Sequence, residues 1–395
     1  MNSTISHSGS ADRLAISGAR IFDGEGWHDD AALLVGSGMV EAIVPQSGIK
    51  PGWQRVDLDG GMLVPGFVDL QVNGGGGVML NDRQDVEAIR TICAAHAPFG
   101  TTALLVTLIT DTPEIGAAAV DACAAALQQK TPGLLGLHLE GPHLSIARKG
   151  AHDPELIRPM TAQDQAFLIA ARSRVPALLS TVAHETVQPA QVKALAEAGI
   201  VVSIGHTDTT YAGAAELAAA GASVVTHLFN AMSQVTNREP GVAGAALDMG
   251  SLSAGLIADG IHVDPTTIGI AVRAKNGPGR IFLVTDAMAT IGTDMPSFSL
   301  NGRTIYRKDG SLRLANGTLA GADLDMISAI RFMHRRIGLP LEEALRMASL
   351  YPAEVMGISH RIGRLGPATA ASAVHLSDAL EVQRVWIEGV QAFQA

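Results

Sequence analysis

Eight short apolar runs follow one another between residues 66 and 286: GFVDLQV, TTALLVTLI, LLGLHLE, ALLSTVA, IVVSIGH, SVVTHLF, SAGLIAD and IFLVTD. Most of the gaps between them carry alanine-rich segments at helical spacing, such as DVEAIRTICAAHA, IGAAAVDACAAALQQ, QPAQVKALAEAG and YAGAAELAAAG. A strand that is apolar along its whole length must be covered on both faces, which is the habit of parallel sheets. Eight such strands alternating with helices over about 250 residues predict an α/β fold of the (β/α)8, TIM-like barrel kind. Two further helices are expected after the eighth run, around LDMISAIRFMHRRIG and LEEALRMASL. Hydrophobic residues make up 47% of the chain but aromatics only 4%, so the core must be built from Ala, Val, Leu and Ile.

The two ends have a different texture. LAISGARIFDG, AALLVGSG and MVEAIVP are short apolar runs broken by Gly, Asp and Pro, which reads as hairpins, and SAVHLSDALEVQRVWIEGV near the C-terminus is alike. The expected organisation is a small β-sandwich domain formed from both termini (1–64 and 359–395) around a barrel of 65–358. Residues 1–12, small and polar, are expected to be disordered. They hold no apolar stretch of the signal-peptide kind, and no run of about 18 uninterrupted apolar residues occurs, so a cytoplasmic chain without a membrane span is expected. A net charge of −10 disfavours nucleic acid and anionic membranes as partners but leaves room for a local basic pocket. Cys93 and Cys123 lie in helical segments and are expected as buried thiols, not a disulfide.

Four of the runs lead into a group that can do chemistry: Glu140, His206, His227 and Asp286. Barrel enzymes place their active groups at the C-terminal ends of the strands, so the four would converge at one mouth. One carboxylate and two imidazoles suit zinc or ferrous iron, and three protein ligands leave an open position where water becomes a nucleophile. Asp286 is expensive to bury unless paired or functional, and fits a general base that later acts as general acid. Simpler readings exist for each: a rim-solvated Glu140, unrelated polar strand ends for the histidines, and a cap on AMAT for Asp286. His138, one layer below Glu140, is expected as a hydrogen-bonded core histidine. His143, in the loop after Glu140, is open between a place near the site and simple exposure. Gly74 to Gly77 either let the backbone approach a ligand or form a flexible loop. KDGSLRLANGTLAG reads as a hairpin and loop covering the pocket.

These residues, with the phrases PGFVDLQVNGGGG, FGTTALLVTLIT, RKGAHDP, REPGVAGAAL, ADGIHV and NGTLAGA, run over nearly the whole chain. Together they resemble the amidohydrolase superfamily, and within it the single-metal branch that deacetylates amino-sugar 6-phosphates. The resemblance implies one divalent cation held by Glu140, His206 and His227, zinc first, with iron, manganese or cobalt also able to enter. It implies Asp286 as the acid/base and His152 as the donor to the acetyl carbonyl. Asn230 and Ala231 would contact the sugar, Arg238 and His262 the phosphate, and Gln71 and Ala322 are also expected at the substrate. The implied reaction converts N-acetylglucosamine 6-phosphate to glucosamine 6-phosphate and acetate. The alternatives are the galactosamine epimer and another N-acyl or cyclic amide. Family members are commonly homodimers whose phosphate pocket is completed across the interface. Where many relatives carry His-x-His after the first strand, this chain has Gln71 and Asn73; amides are poor zinc ligands, which matches a single metal, and Gln71 is left to bond a water. Ala322 replaces a small hydroxyl residue, and His143 stands where an apolar or aromatic residue is usual; both bear on sugar preference.

Overall fold

Each of the eight runs becomes a parallel strand, and each strand pairs with the next in chain order. In the computed structural model, which describes residues 13–395, the strands are Phe67–Val72, Thr101–Ile109, Leu134–Glu140, Leu178–Val182, Val201–Ile204, Val224–Val225, Ser253–Leu256 and Ile281–Leu283. The expectation for residues 1–12 lies outside the described residues. Asp286 N–H donates to the Gln71 carbonyl at 3.0 Å and Asn73 N–H to the Ala287 carbonyl at 2.8 Å, joining the last strand end to the first at the barrel rim. Lower down, buried Asp69 of the first strand accepts from the Thr285 hydroxyl and from the backbone N–H groups of Thr285 and Gln71. Burial outweighs those bonds and pushes its carboxyl up to about 7.

The continuous apolar runs are explained by their surroundings. All nine residues of Thr101–Ile109 are buried, between side chains filling the barrel and helices such as Val86–His96 and Pro113–Gln128 outside. Asp85 caps the first of these helices and Thr112, followed by Pro113, the second, each accepting a backbone N–H of the opening turn. The many alanines let helices lie close to the strands, and Cys93 and Cys123 are buried free thiols on two of them. No described helix is long and apolar enough to cross a membrane.

The terminal segments build two sheets. One orders Met39–Pro45, Ala31–Gly36, Arg13–Ser17 and Gln54–Asp57; in the other, Met62–Pro65 lies between Ala373–Leu376 and Arg20–Phe22, so both ends of the chain share it. Ile16, Leu33, Leu63 and Trp386 form the core between them, and truncating Trp386 to Ala should cost about 3–5 kcal/mol.

One element is larger than the sequence suggested. Ser297–Leu300, Arg303–Lys308, Ser311–Leu314 and Leu319–Ala322 form a four-stranded antiparallel meander after the eighth barrel strand. Its first two turns are Asn301-Gly302 and Asp309-Gly310, with positive φ at all four residues, the backbone that tight hairpins demand.

Candidate active site

Register brings the strand-end groups level. Glu140 pairs with Ile109 on one side and Thr181 on the other, and Ile204 pairs with Val225. His206 and His227 each lie two residues past that last pair, so they leave the barrel at the same height. At His206, His227 and Asp286 the chain turns out of the strand with φ of 48°, 26° and 52°. A left-handed backbone costs a non-glycine residue about 1–2 kcal/mol, and such strain survives only where the surroundings enforce it, as at functional sites. These turns also end the sixth and eighth strands earlier than their apolar runs suggested. Just before His206 only glycine fits, because a Cβ on Gly205 would stand 2.7 Å from Thr226 and 2.8 Å from Thr181.

The three groups form a tight triangle. His206 Nε2 lies 3.0 Å from His227 Nε2 and 3.1 Å from Glu140 Oε1, and His227 Nε2 lies 3.2 Å from the same oxygen. Ligands about 2.0–2.2 Å from a shared tetrahedral ion stand about 3.3–3.6 Å apart, so this spacing is close to a cation site. His206 Nδ1 donates to the Arg148 carbonyl at 2.8 Å, which fixes the ring with its Nε2 turned to the triangle. Burial alone would raise the Glu140 carboxyl, but the two imidazoles beside it hold it well below the usual carboxylate range. The same contact outweighs burial to raise His227. The cluster thus favours a positive charge at its centre, and the donor set fits a divalent cation.

His152 also lies near enough to Glu140 and His206 for the three to hold an ion, with ligand atoms within 4.8 Å of one another. Its hydrogen bonds argue for a different part. Thr110 N–H donates to His152 Nδ1 at 3.3 Å, so Nδ1 is the acceptor and Nε2 carries the proton. Burial, then the nearby His206, holds this imidazole well below its usual range, hence neutral. A neutral ring with its free N–H beside the triangle is a donor for a substrate oxygen, while His227 completes the tighter set.

Asp286 Oδ1 accepts from Asn73 Nδ2 at 2.7 Å and from Gln71 Nε2 at 3.2 Å; the same Gln71 nitrogen reaches Glu140 Oε1 at 3.1 Å. The two amides, Gln71 and Asn73, therefore present donors that fix two carboxylates. Burial first, then the Glu140 charge, pushes Asp286 up to about 6.

A cavity of about 390 Å³ opens over this floor, lined by Asn73, Glu140, His152, His206, His227, Asn230, Ala231, His262 and Asp286. His262 donates to Asp259 at 2.6 Å. Arg313, Thr318, Leu319 and Gly321 supply the opposite wall, so the segment expected to cover the pocket does so. Three expected substrate contacts do not line it. Gln71 is buried between the carboxylates, Ala322 is buried with its N–H on the Asp286 carbonyl at 2.9 Å, and Arg238 is exposed in a loop outside. His138 is a core histidine between Thr107 and Thr181, as expected. His143 lines a separate cavity of about 460 Å³ with Arg158 and Phe167, which removes it from the sugar pocket. A larger hollow of about 880 Å³ lies against the C-terminal strands, and no histidine lines it.

Sequence reasoning missed Arg303 and Arg313 of the meander. Arg303 donates to the carbonyl of Ala151, the residue before His152. Asp-Gly and Asn-Gly announced the turns, but nothing local told which barrel loop the sheet would meet.

The Amidohydrolase family model matches residues 62–392. The N-acetylgalactosamine-6-phosphate deacetylase of Shewanella sp. (strain ANA-3) is 39% identical, covering 97% of this chain and 96% of that protein. The N-acetylglucosamine-6-phosphate deacetylase of Haemophilus influenzae is 38% identical, covering 85% and 87%. The solved structure of N-acetylglucosamine-6-phosphate deacetylase from Pasteurella multocida superposes with a TM-score of 0.92 at 35% identity, covering 96% of this chain and 99% of that one.

Proposed function

The chain belongs to the amidohydrolase family, and from that premise we propose that it removes the acetyl group from N-acetylglucosamine 6-phosphate, giving glucosamine 6-phosphate and acetate. The observation that carries the reading is the Glu140–His206–His227 triangle with Asp286 and His152 on the same cavity floor.

Glu140, His206 and His227 would hold one divalent cation, zinc first, with iron, manganese or cobalt also suited to an O/N₂ set. When bound, it supplies Lewis acidity that polarises the carbonyl and acidifies a neighbouring water. Asp286 takes the proton of the attacking water, and its raised pKa suits a base that must later give that proton back. His152 donates through Nε2 to the carbonyl oxygen as negative charge grows there. Asp286 then protonates the departing nitrogen, which leaves as an amine and not as a strongly basic amide anion. Gln71 and Asn73 keep the Asp286 carboxylate aimed through both steps.

Asn230 and Ala231 would contact the sugar, and His262, held by Asp259, the phosphate. Arg238 fits this scheme if the chain is a homodimer in which Arg238 of the partner subunit reaches over the cavity; its exposure is what such a reach requires. A cytoplasmic location suits a charged sugar phosphate, which does not cross a bilayer unaided.

A second reading, the galactosamine epimer, is favoured by the Shewanella relative. Acetate release from both epimeric 6-phosphates and from unphosphorylated N-acetylglucosamine, with metal content measured on the same sample, tests both. We expect turnover of a 6-phosphate at least about a hundredfold above the free sugar. The ratio of kcat/KM between epimers names the substrate. A protein loaded with one metal per chain that released no acetate from either phosphate would end the reading.

A further inference from the structure

One guanidinium on the cavity wall has no part in the scheme above. Arg313, on the third strand of the meander, lines the cavity together with Glu140, His206, His227, His262 and Asp286. Among the described residues that line it, Arg313 is the only lysine or arginine. Two neutral groups hold its fork: Nε donates to Ser311 Oγ at 3.0 Å and Nη1 to the Gly317 carbonyl at 3.0 Å. No carboxylate pairs with it among the described residues, and Nη2 makes no hydrogen bond there. The guanidinium is therefore oriented but not neutralised.

The cavity has need of such a charge. Its floor carries two carboxylates, and the wall histidine His262 spends its Nδ1 on Asp259 at 2.6 Å, so it offers a phosphate its other ring nitrogen alone. Arg238 is exposed and outside the lining. A phosphate entering from the mouth thus meets, within one chain, a single unpaired guanidinium with free N–H donors. A planar fork binds two phosphate oxygens at once and keeps its charge at every pH the enzyme meets.

We infer that Arg313 is a specificity-determining residue that grips the substrate's phosphate from the antiparallel wall, in cis, independently of any contact made by a partner subunit. The inference rests on the amino-sugar phosphate reading above. It assigns to the meander, and not only to the barrel loops, the selection of phosphorylated over free sugar.

Steady-state kinetics of metal-loaded R313A and R313K on N-acetylglucosamine 6-phosphate and on the unphosphorylated sugar test it, with inorganic phosphate as a competitive inhibitor. In R313A the KM for the 6-phosphate should rise about 10–100-fold, the range expected for one charge-assisted contact, with kcat changed much less. The preference for phosphorylated over free sugar should fall by at least tenfold, and the Ki for phosphate should rise in parallel. R313K, which keeps the charge and loses the fork, should fall between. Equal losses on both sugars would mean that Arg313 only supports the hairpin, and would overturn the inference. So would an unchanged Ki for phosphate. A wild type with no preference for the phosphate overturns the substrate reading itself. A wild type with a strong preference that R313A retains overturns only the role of Arg313.

Discussion

The floor and the wall of the cavity are built by opposite rules. The floor consists of strand ends: Glu140, His206 and His227 are buried, their heights are set by the pairing of neighbouring strands, and their polar atoms, His227 Nδ1 excepted, are held by protein partners. The wall is a meander laid across the mouth, with Arg313, Gly317 and Thr318 exposed and joined to the barrel by few bonds. A floor fixed by eight strands can hold reacting groups to the fraction of an ångström that catalysis requires. A wall of hairpins can change its side chains without disturbing that geometry. The difference separates a site that does the chemistry from one that chooses what is presented to it, and each prediction below asks whether that separation is real.

The largest effect should come from the floor's proposed proton carrier. D286N keeps the shape of the side chain and removes the base, so kcat should fall about 10²–10⁴-fold while metal content stays near one per chain. The assignment fails if turnover survives. In the metal-free protein Asp286 is pushed up to about 6, and a bound cation favours its charged form and draws it lower. The base works only when deprotonated, so kcat/KM should lose activity as pH falls, with an acid limb at or below about pH 6. An acid limb above pH 7 would assign the base to another group. Next comes H152A, which removes the proposed donor to the developing oxyanion. It should cost about 10²–10³ in kcat with little change in KM. A loss of metal from H152A would instead make His152 a ligand, as its closeness to Glu140 and His206 allows.

The floor was also the legible part of the sequence. Glu140, His206, His227 and Asp286 could be picked out because a polar residue ending an apolar run has few other reasons to be there, and the barrel rule says where such ends meet. Gln71 and Asn73 were not seen as holders of the carboxylates, since that an amide holds two carboxylates depends on a rim contact between the first and last strands. Ala322 is buried beside Leu319 and Gly321, which line the cavity, an alternation that a bulged strand hides from the sequence. Arg303 and Arg313 were invisible for a plainer reason: a hairpin's sequence fixes its turns, not the surface it lands on.

Below the floor a buried polar layer runs from Thr107 through His138 and Thr181 to Thr226 and Ser203. His138, pushed down to about 4 by burial, is neutral and needs an acceptor or donor at each nitrogen. T181V keeps the volume and leaves His138 Nε2 and the Thr226 hydroxyl short of a partner, a loss of about 1–3 kcal/mol. The urea midpoint should drop while the metal stays bound. An unchanged midpoint would show that the floor does not depend on this layer for its rigidity.

The smallest effect belongs to the one polar tie, among the described residues, between the wall and the loop that carries His152. Arg303 donates to the carbonyl of Ala151, and its charge also helps to keep the adjacent His152 imidazole neutral. R303M retains much of the stem and removes both influences. If the tie positions His152, kcat should fall about 3–10-fold, the size of one partly exposed charge-assisted bond, and R303K should restore part of it. KM for the phosphorylated sugar should hold, because Arg313 pairs with Tyr306, three residues along the strand from Arg303, on a hairpin whose turns are intact. Should R303M instead raise KM and spare kcat, Arg303 would belong with the wall's selection of substrate. Should it change neither, His152 would be held by Thr110 alone, and floor and wall would be independent devices that happen to share a cavity.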